Sequence, residues 1–110
     1  MKTQMMFAAA IAMAVPTPSF AYFIDGNKLY SECTQDASLF CLGYIDGISD
    51  GLDLARATNS RQQCAPVGVS AGQVKDVVVR YLYNHPESRN LEAGYLVVAA
   101  IGDAWNCKDK

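Results

Sequence analysis

Apolar residues recur at intervals of three and four in the second half of the chain, which is the spacing of one face of an α-helix. The clearest run follows Ser70 and stops at Pro86. Its apolar positions are Val74, Val77, Val78, Tyr81 and Leu82. Ser70 and Gln73 have the spacing of a capping box, in which the serine hydroxyl accepts a hydrogen bond from the backbone three positions on. The consecutive valines at 77–79 alone would favour a strand, but the cap and the spacing predict a helix.

Three further segments carry a helical pattern. Beyond Pro86 the same spacing predicts a second long helix that ends near Asn106, with apolar positions at Leu91, Tyr95, Val98, Ile101 or Gly102, and Trp105. A third helix is predicted over residues 37–57, and a shorter one over residues 26–33. The two C-terminal helices would form a hairpin whose apolar faces need the N-terminal helices as cover. The pattern therefore predicts an all-α fold, a small bundle of about four helices.

Three glycines in the third segment share one helical face: Gly43, Gly47 and Gly51. Each costs a helix about 1 kcal/mol relative to alanine. We expect the bare backbone to allow close approach of another helix, from the same domain or from a second copy of the chain. Asp46, Asp50 and Asp53 make one flank of this helix acidic, which suits either a solvated face or a docking surface for a basic partner.

The N-terminal residues have the pattern of a secretory signal. Lys2 precedes an apolar run at residues 5–15, and Ser19 and Ala21 give small residues at the −3 and −1 positions of a peptidase site. The run is too short for a membrane anchor, because a bilayer crossing needs roughly 20 residues. We predict cleavage after Ala21, so that residues 1–21 are a signal peptide and residues 22–110 form one exported domain without membrane attachment.

All four cysteines, Cys33, Cys41, Cys64 and Cys107, lie downstream of this cleavage site. An even number of cysteines in a small exported domain predicts disulfide bonds, because a core of this size is marginal without them. Three connectivities are possible, of which we prefer Cys33 with Cys41 and Cys64 with Cys107. No Cys-x-x-Cys pair occurs and His85 is the only histidine, so the sequence predicts no metal site and no cofactor.

The charge distribution and the absence of certain motifs argue against several classes of function. The formal net charge is −2, and the lysines and arginines are scattered singly. The chain thus lacks the basic patch that a nucleic-acid ligand requires. A phosphate-binding loop and a second histidine are also absent from the sequence. Disulfide pairing would consume the thiols that a Cys-His nucleophile needs. The sequence predicts a protein that is not an enzyme.

Several short motifs together resemble one known family. They are Gly26-Asn27-x-Leu29 with Cys33, Cys41-Leu42-Gly43-Tyr44-Ile45-x-Gly47, Cys64 with Pro66-x-Gly68-Val69 and Gly72-Gln73, Tyr81-Leu82-x-x-His85-Pro86-Glu87, and Cys107. The combination, which spans nearly all of residues 22–110, resembles the Rap/Tai family of type VI secretion immunity proteins. This resemblance implies a small periplasmic α-helical protein, commonly a homodimer, that binds a cell-wall amidase effector and blocks its active-site cleft.

Two polar connections are the candidate partner-binding loops, because loops on a rigid scaffold are enriched in functional residues. Residues 58–63 present Arg61 and Gln63. Residues 83–89 lie at the tip of the predicted hairpin and present His85, Glu87 and Arg89.

A second function, from a different class, is a periplasmic chaperone of the acid-stress type, also helical, disulfide-bonded and dimeric. An immunity protein holds one effector at neutral pH. An acid-stress chaperone would instead dissociate and bind many unfolded clients when its carboxylates become protonated.

Overall fold

The computed structural model describes residues 23–107, and within this range the chain forms four α-helices. They are α1 (Gly26–Cys33), α2 (Leu39–Thr58), α3 (Ala71–Asn84) and α4 (Ala93–Trp105), and a 3₁₀ turn (Pro86–Ser88) lies between α3 and α4. The predicted all-α bundle of about four helices is confirmed. The predicted signal peptide at residues 1–21 lies outside the described residues.

Side-chain caps fix where three of the helices begin. Asp25, Ser38 and Ser70 each accept a hydrogen bond from the backbone N–H three residues later, at 2.8, 3.1 and 3.1 Å. Each bond satisfies one of the N–H groups that a helix leaves without an intrahelical partner. The predicted cap at Ser70 is therefore confirmed. At the other end of the fold, α4 stops at Asn106, whose left-handed backbone (φ 48°) is a common helix terminator.

The core lies between all four helices. Its largest fully buried side chains are Leu29 from α1, Ile45 from α2, Val78 and Leu82 from α3, and Leu96 and Val97 from α4. The entry to α1 is tied to the entry to α4, because Gly26 donates its N–H to the carbonyl of Leu91 at 2.9 Å and Ala93 donates to Ile24 at 3.1 Å. This pairing closes the bundle and places the α3–α4 connection beside α1.

Both disulfide bonds form in the preferred pairing. Cys33 is bonded to Cys41, with the two Cα atoms 5.0 Å apart, and Cys64 is bonded to Cys107, with the Cα atoms 5.2 Å apart. The first bond links the end of α1 to the first turn of α2. The second ties the α2–α3 loop to the residue that follows α4. All four cysteines are buried, so the bonds are part of the core.

The predicted buried face of α4 is wrong in three positions. Leu91 precedes the helix, and Leu91, Tyr95 and Val98 are 43, 61 and 39% exposed. The helix instead buries the adjacent face, which carries Ala93, Gly94, Leu96, Val97, Ala100 and Ile101. Asp103 is the only charged residue of α4, so almost any face of this helix can satisfy an apolar period. Three of these buried residues, Ala93, Gly94 and Ala100, are small, and small residues allow neighbouring helices to approach closely.

The glycines of α2 point away from the core. A Cβ atom added at Gly43, Gly47 or Gly51 would meet no neighbouring atom within 4 Å. The expectation that another helix of the same domain covers them is therefore wrong for the described residues. The reason is that α2 buries its opposite side, where Cys41 and Ile45 lie. Approach by a second copy of the chain stays a prediction.

Candidate functional site

The first candidate loop leaves α2 and is held against its last turn. The backbone N–H of Arg61 donates to the carbonyl oxygen of Arg56 at 2.8 Å, and Nε of Arg56 donates to the carbonyl oxygen of Gln62 at 2.6 Å. The side chains of Arg61 and Gln63 are exposed. Arg56 of α2 thus holds the loop backbone at residues 61 and 62, while the two predicted partner-binding side chains face solvent.

Cys64 anchors the far end of this loop. It is 2% exposed, and the residues on either side, at 59–63 and 65–70, are exposed or only partly buried. Its disulfide to Cys107 fastens the loop to the end of α4. The loop that carries Arg61 and Gln63 is therefore bracketed by α2 on one side and by a covalent bond on the other.

The second candidate loop begins at the C-terminus of α3. His85 caps α3, its ring lies 4.2 Å from the Tyr81 ring, and its Nδ1 lies 3.2 Å from Oε1 of Glu87. Glu87 is in the first turn of the 3₁₀ segment. A hydrogen bond from its own backbone N–H, and then the bond with His85, lower the pKa of Glu87 below its ordinary value of 4.5. The carboxylate is held in its charged form at the tip of this loop.

The side chain of Arg89 makes its contacts within the domain. Its Nε donates to the carbonyl oxygen of Leu82 at 2.6 Å, and Nη2 donates to that of Tyr83 at 3.3 Å. The guanidinium carbon also lies 4.1 Å from the centre of the Tyr30 ring. These contacts satisfy carbonyl groups at the end of α3 and join α3 to α1. A partner-binding role for Arg89 stays a prediction, and this geometry gives the residue a structural task.

The fold brings the two candidate loops to one groove. Arg61 from the first loop and His85 from the second both line an open groove of about 600 Å³. Its other walls include Leu52 and Arg56 of α2, Tyr81 of α3, and Val98, Gly102 and Asp103 of α4. Burial, and then the charge of Asp103, raise the pKa of Tyr81 above its ordinary value of 10.0. The groove is lined by both apolar and polar side chains, as binding sites commonly are.

Gln63 lines a different groove. This second groove, of about 420 Å³, is walled by Asp46, Asp50 and Asp53 of α2 and by the loop at residues 65–69. Gln63 therefore sits next to the acidic flank that the sequence pointed out. Glu87 and Arg89 line neither groove. Of the five predicted residues, only Arg61 and His85 line the same groove.

Sequence reasoning missed Arg56 and Asp103. Arg56 occupies the last turn of α2, where a basic side chain interacts favourably with the helix dipole. Because basic residues are common at this position, nothing in the sequence indicated a contact with the loop. Asp103 is the single charge on α4, and a lone acidic residue on an otherwise apolar helix was the available signal. Both side chains line the groove that Arg61 and His85 share.

Within residues 23–107, no group of three or more histidine, cysteine or acidic side chains could hold a metal ion. In the same range, no helix has both the length and the apolar character that a membrane crossing requires. Of the five candidate residues, Arg61 and His85 line one open groove and Gln63 lines the other.

Comparison with known proteins assigns the fold a family. A family model described as Rap1a immunity proteins matches residues 25–107, which spans all four helices and both disulfide bonds. No curated protein and no solved structure gave a significant match. The family match agrees with the motifs that suggested the Rap/Tai immunity proteins. The chain belongs to the Rap1a immunity protein family.

Proposed function

We propose that this protein is a periplasmic immunity protein that binds a type VI secretion effector, a peptidoglycan amidase, and inhibits it by occluding the active site. The observation that carries the proposal is the family match over residues 25–107. It is supported by two polar loops that converge on one groove of a disulfide-bonded scaffold. On this proposal the protein is not an enzyme and acts through its interface alone.

The interface that we propose uses both loops. Arg61 is exposed, and within residues 23–107 its guanidinium forms no ion pair, so it is available to a partner. Gln63 lies beside it, and His85 and Glu87 project from the other loop. An enzyme cleft is concave, and rigid projecting loops are suited to fill it. Loops that are already ordered also avoid part of the entropy cost of binding.

A periplasmic location fits the chemistry of the domain. Disulfide bonds form and persist in oxidising compartments, which include the bacterial periplasm. The described residues contain two such bonds and no free cysteine. The signal sequence predicted at residues 1–21 would deliver the chain there, and peptidoglycan is exposed to an amidase in the same compartment.

We also propose that two copies associate through the outward face of α2. Phe40, Gly43, Gly47, Gly51 and Leu54 follow one another at intervals of three and four, so they form a line along the helix that carries no charge. Phe40 and Leu54 are 48 and 67% exposed. Glycines would let a second helix approach this line closely, and the two larger side chains would flank the contact.

Inhibition of peptidoglycan cleavage tests the proposed function. The purified mature protein is titrated into the amidase encoded beside its gene, and release of cleaved peptide is measured. Arg61→Ala, Gln63→Ala and Glu87→Ala are compared with Arg80→Ala, a control that removes an exposed arginine from α3. We expect full inhibition by the wild type and by the control. At least one loop variant should lose about tenfold or more in affinity, which is the scale of a single interface hot spot.

The outcomes separate function from interface. Unchanged cleavage in the presence of excess wild-type protein contradicts the immunity function for that amidase. Inhibition by the wild type that survives every loop substitution keeps the function and moves the interface elsewhere. In that case the acidic flank at Asp46, Asp50 and Asp53 is the next surface to substitute.

A further inference from the structure

We infer that Arg56 is a positioning residue for partner recognition, which it serves by ordering the segment at residues 61–63 before a partner arrives. The inference rests on the proposed function, because it assigns a task within the same interface. Arg56 is half-buried at the end of α2, and Arg61 and Gln63 are exposed. The residue would act through the loop that carries these two side chains.

Two hydrogen bonds of opposite polarity join Arg56 to the loop. Its carbonyl oxygen accepts from the Arg61 N–H at 2.8 Å, and its Nε donates to the Gln62 carbonyl at 2.6 Å. The second bond is assisted by the guanidinium charge, and such bonds are shorter and stronger than neutral ones. Together they hold the peptide unit that precedes Arg61 and the one that follows Gln62, so the backbone is fixed on both sides of residues 61–62.

Little else orders these residues within the part of the chain that the structure describes. The side chains of Thr58 and Asn59 and the N–H of Ser60 also bond back to α2, but these bonds end at residue 60. All residues from 58 to 63 are exposed, so burial contributes little there. Cys64 fixes the next point along the chain through its disulfide. Between Ser60 and Cys64, the bonds to Arg56 are the ordering contacts.

Ordering of a loop before binding improves affinity, because the complex then forms without a further loss of backbone and side-chain freedom. Arg56→Met removes the guanidinium but keeps an unbranched side chain that can cover the same apolar surface. Arg56→Lys keeps the charge but lacks the planar donor geometry. We expect the methionine variant to release residues 61–63 and the lysine variant to restore part of the order.

The first measurement needs no ligand. Amide hydrogen exchange at Arg61 and trypsin cleavage after Arg61 are followed in the wild type, Arg56→Met, Arg56→Lys and the control Arg80→Met. We expect Arg56→Met to accelerate both processes about tenfold or more, with Arg56→Lys intermediate and Arg80→Met unchanged. A thermal melt of each variant reports whether the bundle stays folded. A folded Arg56→Met variant with wild-type exchange and cleavage overturns the inference, whether or not any amidase binds.

The second measurement is affinity for the amidase encoded beside the gene. We expect Arg56→Met to weaken binding about tenfold, and to weaken it less than twofold when Arg61 and Gln63 have already been replaced by alanine. Equal losses in both backgrounds would show that Arg56 acts independently of the loop and would overturn the positioning role. A wild-type protein that fails to bind overturns the proposed function, and with it the recognition role of Arg56. The exchange and cleavage rates would still decide whether Arg56 orders the loop.

Discussion

Gly26 and Leu96 pack so closely that a Cβ atom on residue 26 would overlap Cδ1 of Leu96. The same Cβ would lie 2.8 Å from the carbonyl oxygen of Arg89, which is backbone and cannot move independently. Gly26 is also the first residue of α1, and its N–H is bonded to the chain just before α4. A glycine at this point allows α1 to dock on the entry to α4 without a gap.

We expect Gly26→Ala to destabilise the domain by about 1–3 kcal/mol, the usual cost of overpacking a core. The matched control is Gly72→Ala in the first turn of α3, where an added Cβ meets nothing within 4 Å. That substitution should be neutral or stabilise by up to about 1 kcal/mol through helix propensity. Thermal melts of the two variants check the expectation, and a Gly26→Ala melting temperature at or above that of Gly72→Ala would contradict it.

Local signals in the sequence predicted the helices well. Ser70 and Gln73 predicted the start of α3, and in the structure the backbone N–H of Gln73 donates to the Ser70 hydroxyl oxygen at 3.1 Å. The face of α4 could not be predicted in the same way, because Tyr95 and Val98 belong to the same uncharged run as Leu96 and Val97. Which pair is buried depends on how α4 crosses α1 and α2. That crossing is set by tertiary packing, and the local spacing of apolar residues does not predict it.

The candidate site was also predictable only in part. The polar loops that carry Arg61 and His85 could be recognised from composition, because each joins two periodic segments. These loops meet at one groove because α3 packs against α2 and α4, and this packing could not be predicted from the sequence. The same limit applies to Arg89. Only tertiary structure shows that its guanidinium reaches Leu82 and the Tyr30 ring.

Gly47→Leu tests the proposed contact between two copies. Because nothing lies within 4 Å of a Cβ at this position, the monomer should fold with an unchanged or higher melting temperature. A leucine would nevertheless hold a second helix away from the glycine line, so we expect a monomer in sedimentation analysis. Gly72→Leu, at an exposed glycine of α3 where an added Cβ also meets nothing within 4 Å, is the control and should stay dimeric. A dimeric Gly47→Leu variant would rule out this face.

Protonation of Glu87 should release the contact at the tip of the second loop. The pKa of Glu87 is lowered in the folded state, so the favourable interaction is present above the ordinary value of 4.5 and is lost as the pH falls through the folded-state pKa. The largest cause is its own backbone N–H and the second is His85. His85→Gln should therefore raise the Glu87 pKa only in part. Carboxyl NMR titration measures this, and a value that does not move would show that His85 contributes nothing.

The two disulfide bonds should differ in their effect on stability, because they close loops of different length. Cys33 and Cys41 are separated by 8 positions, and Cys64 and Cys107 by 43. If each bond acts by restricting the unfolded chain, the shorter contributes about 2.5 kcal/mol and the longer about 4 kcal/mol. All four cysteines are buried, so replacing either pair by alanine removes a similar amount of packing.

We therefore expect the Cys64→Ala, Cys107→Ala double variant to melt at a lower temperature than the Cys33→Ala, Cys41→Ala double variant. The difference should be roughly 6–12 °C, which corresponds to about 1.5 kcal/mol in a domain of this size. Thermal melts under non-reducing conditions measure it. Equal losses would mean that the unfolded chain does not behave as a free loop. A larger loss of stability on removal of the Cys33–Cys41 bond would show that this bond stabilises the folded state, at the junction of α1 and α2.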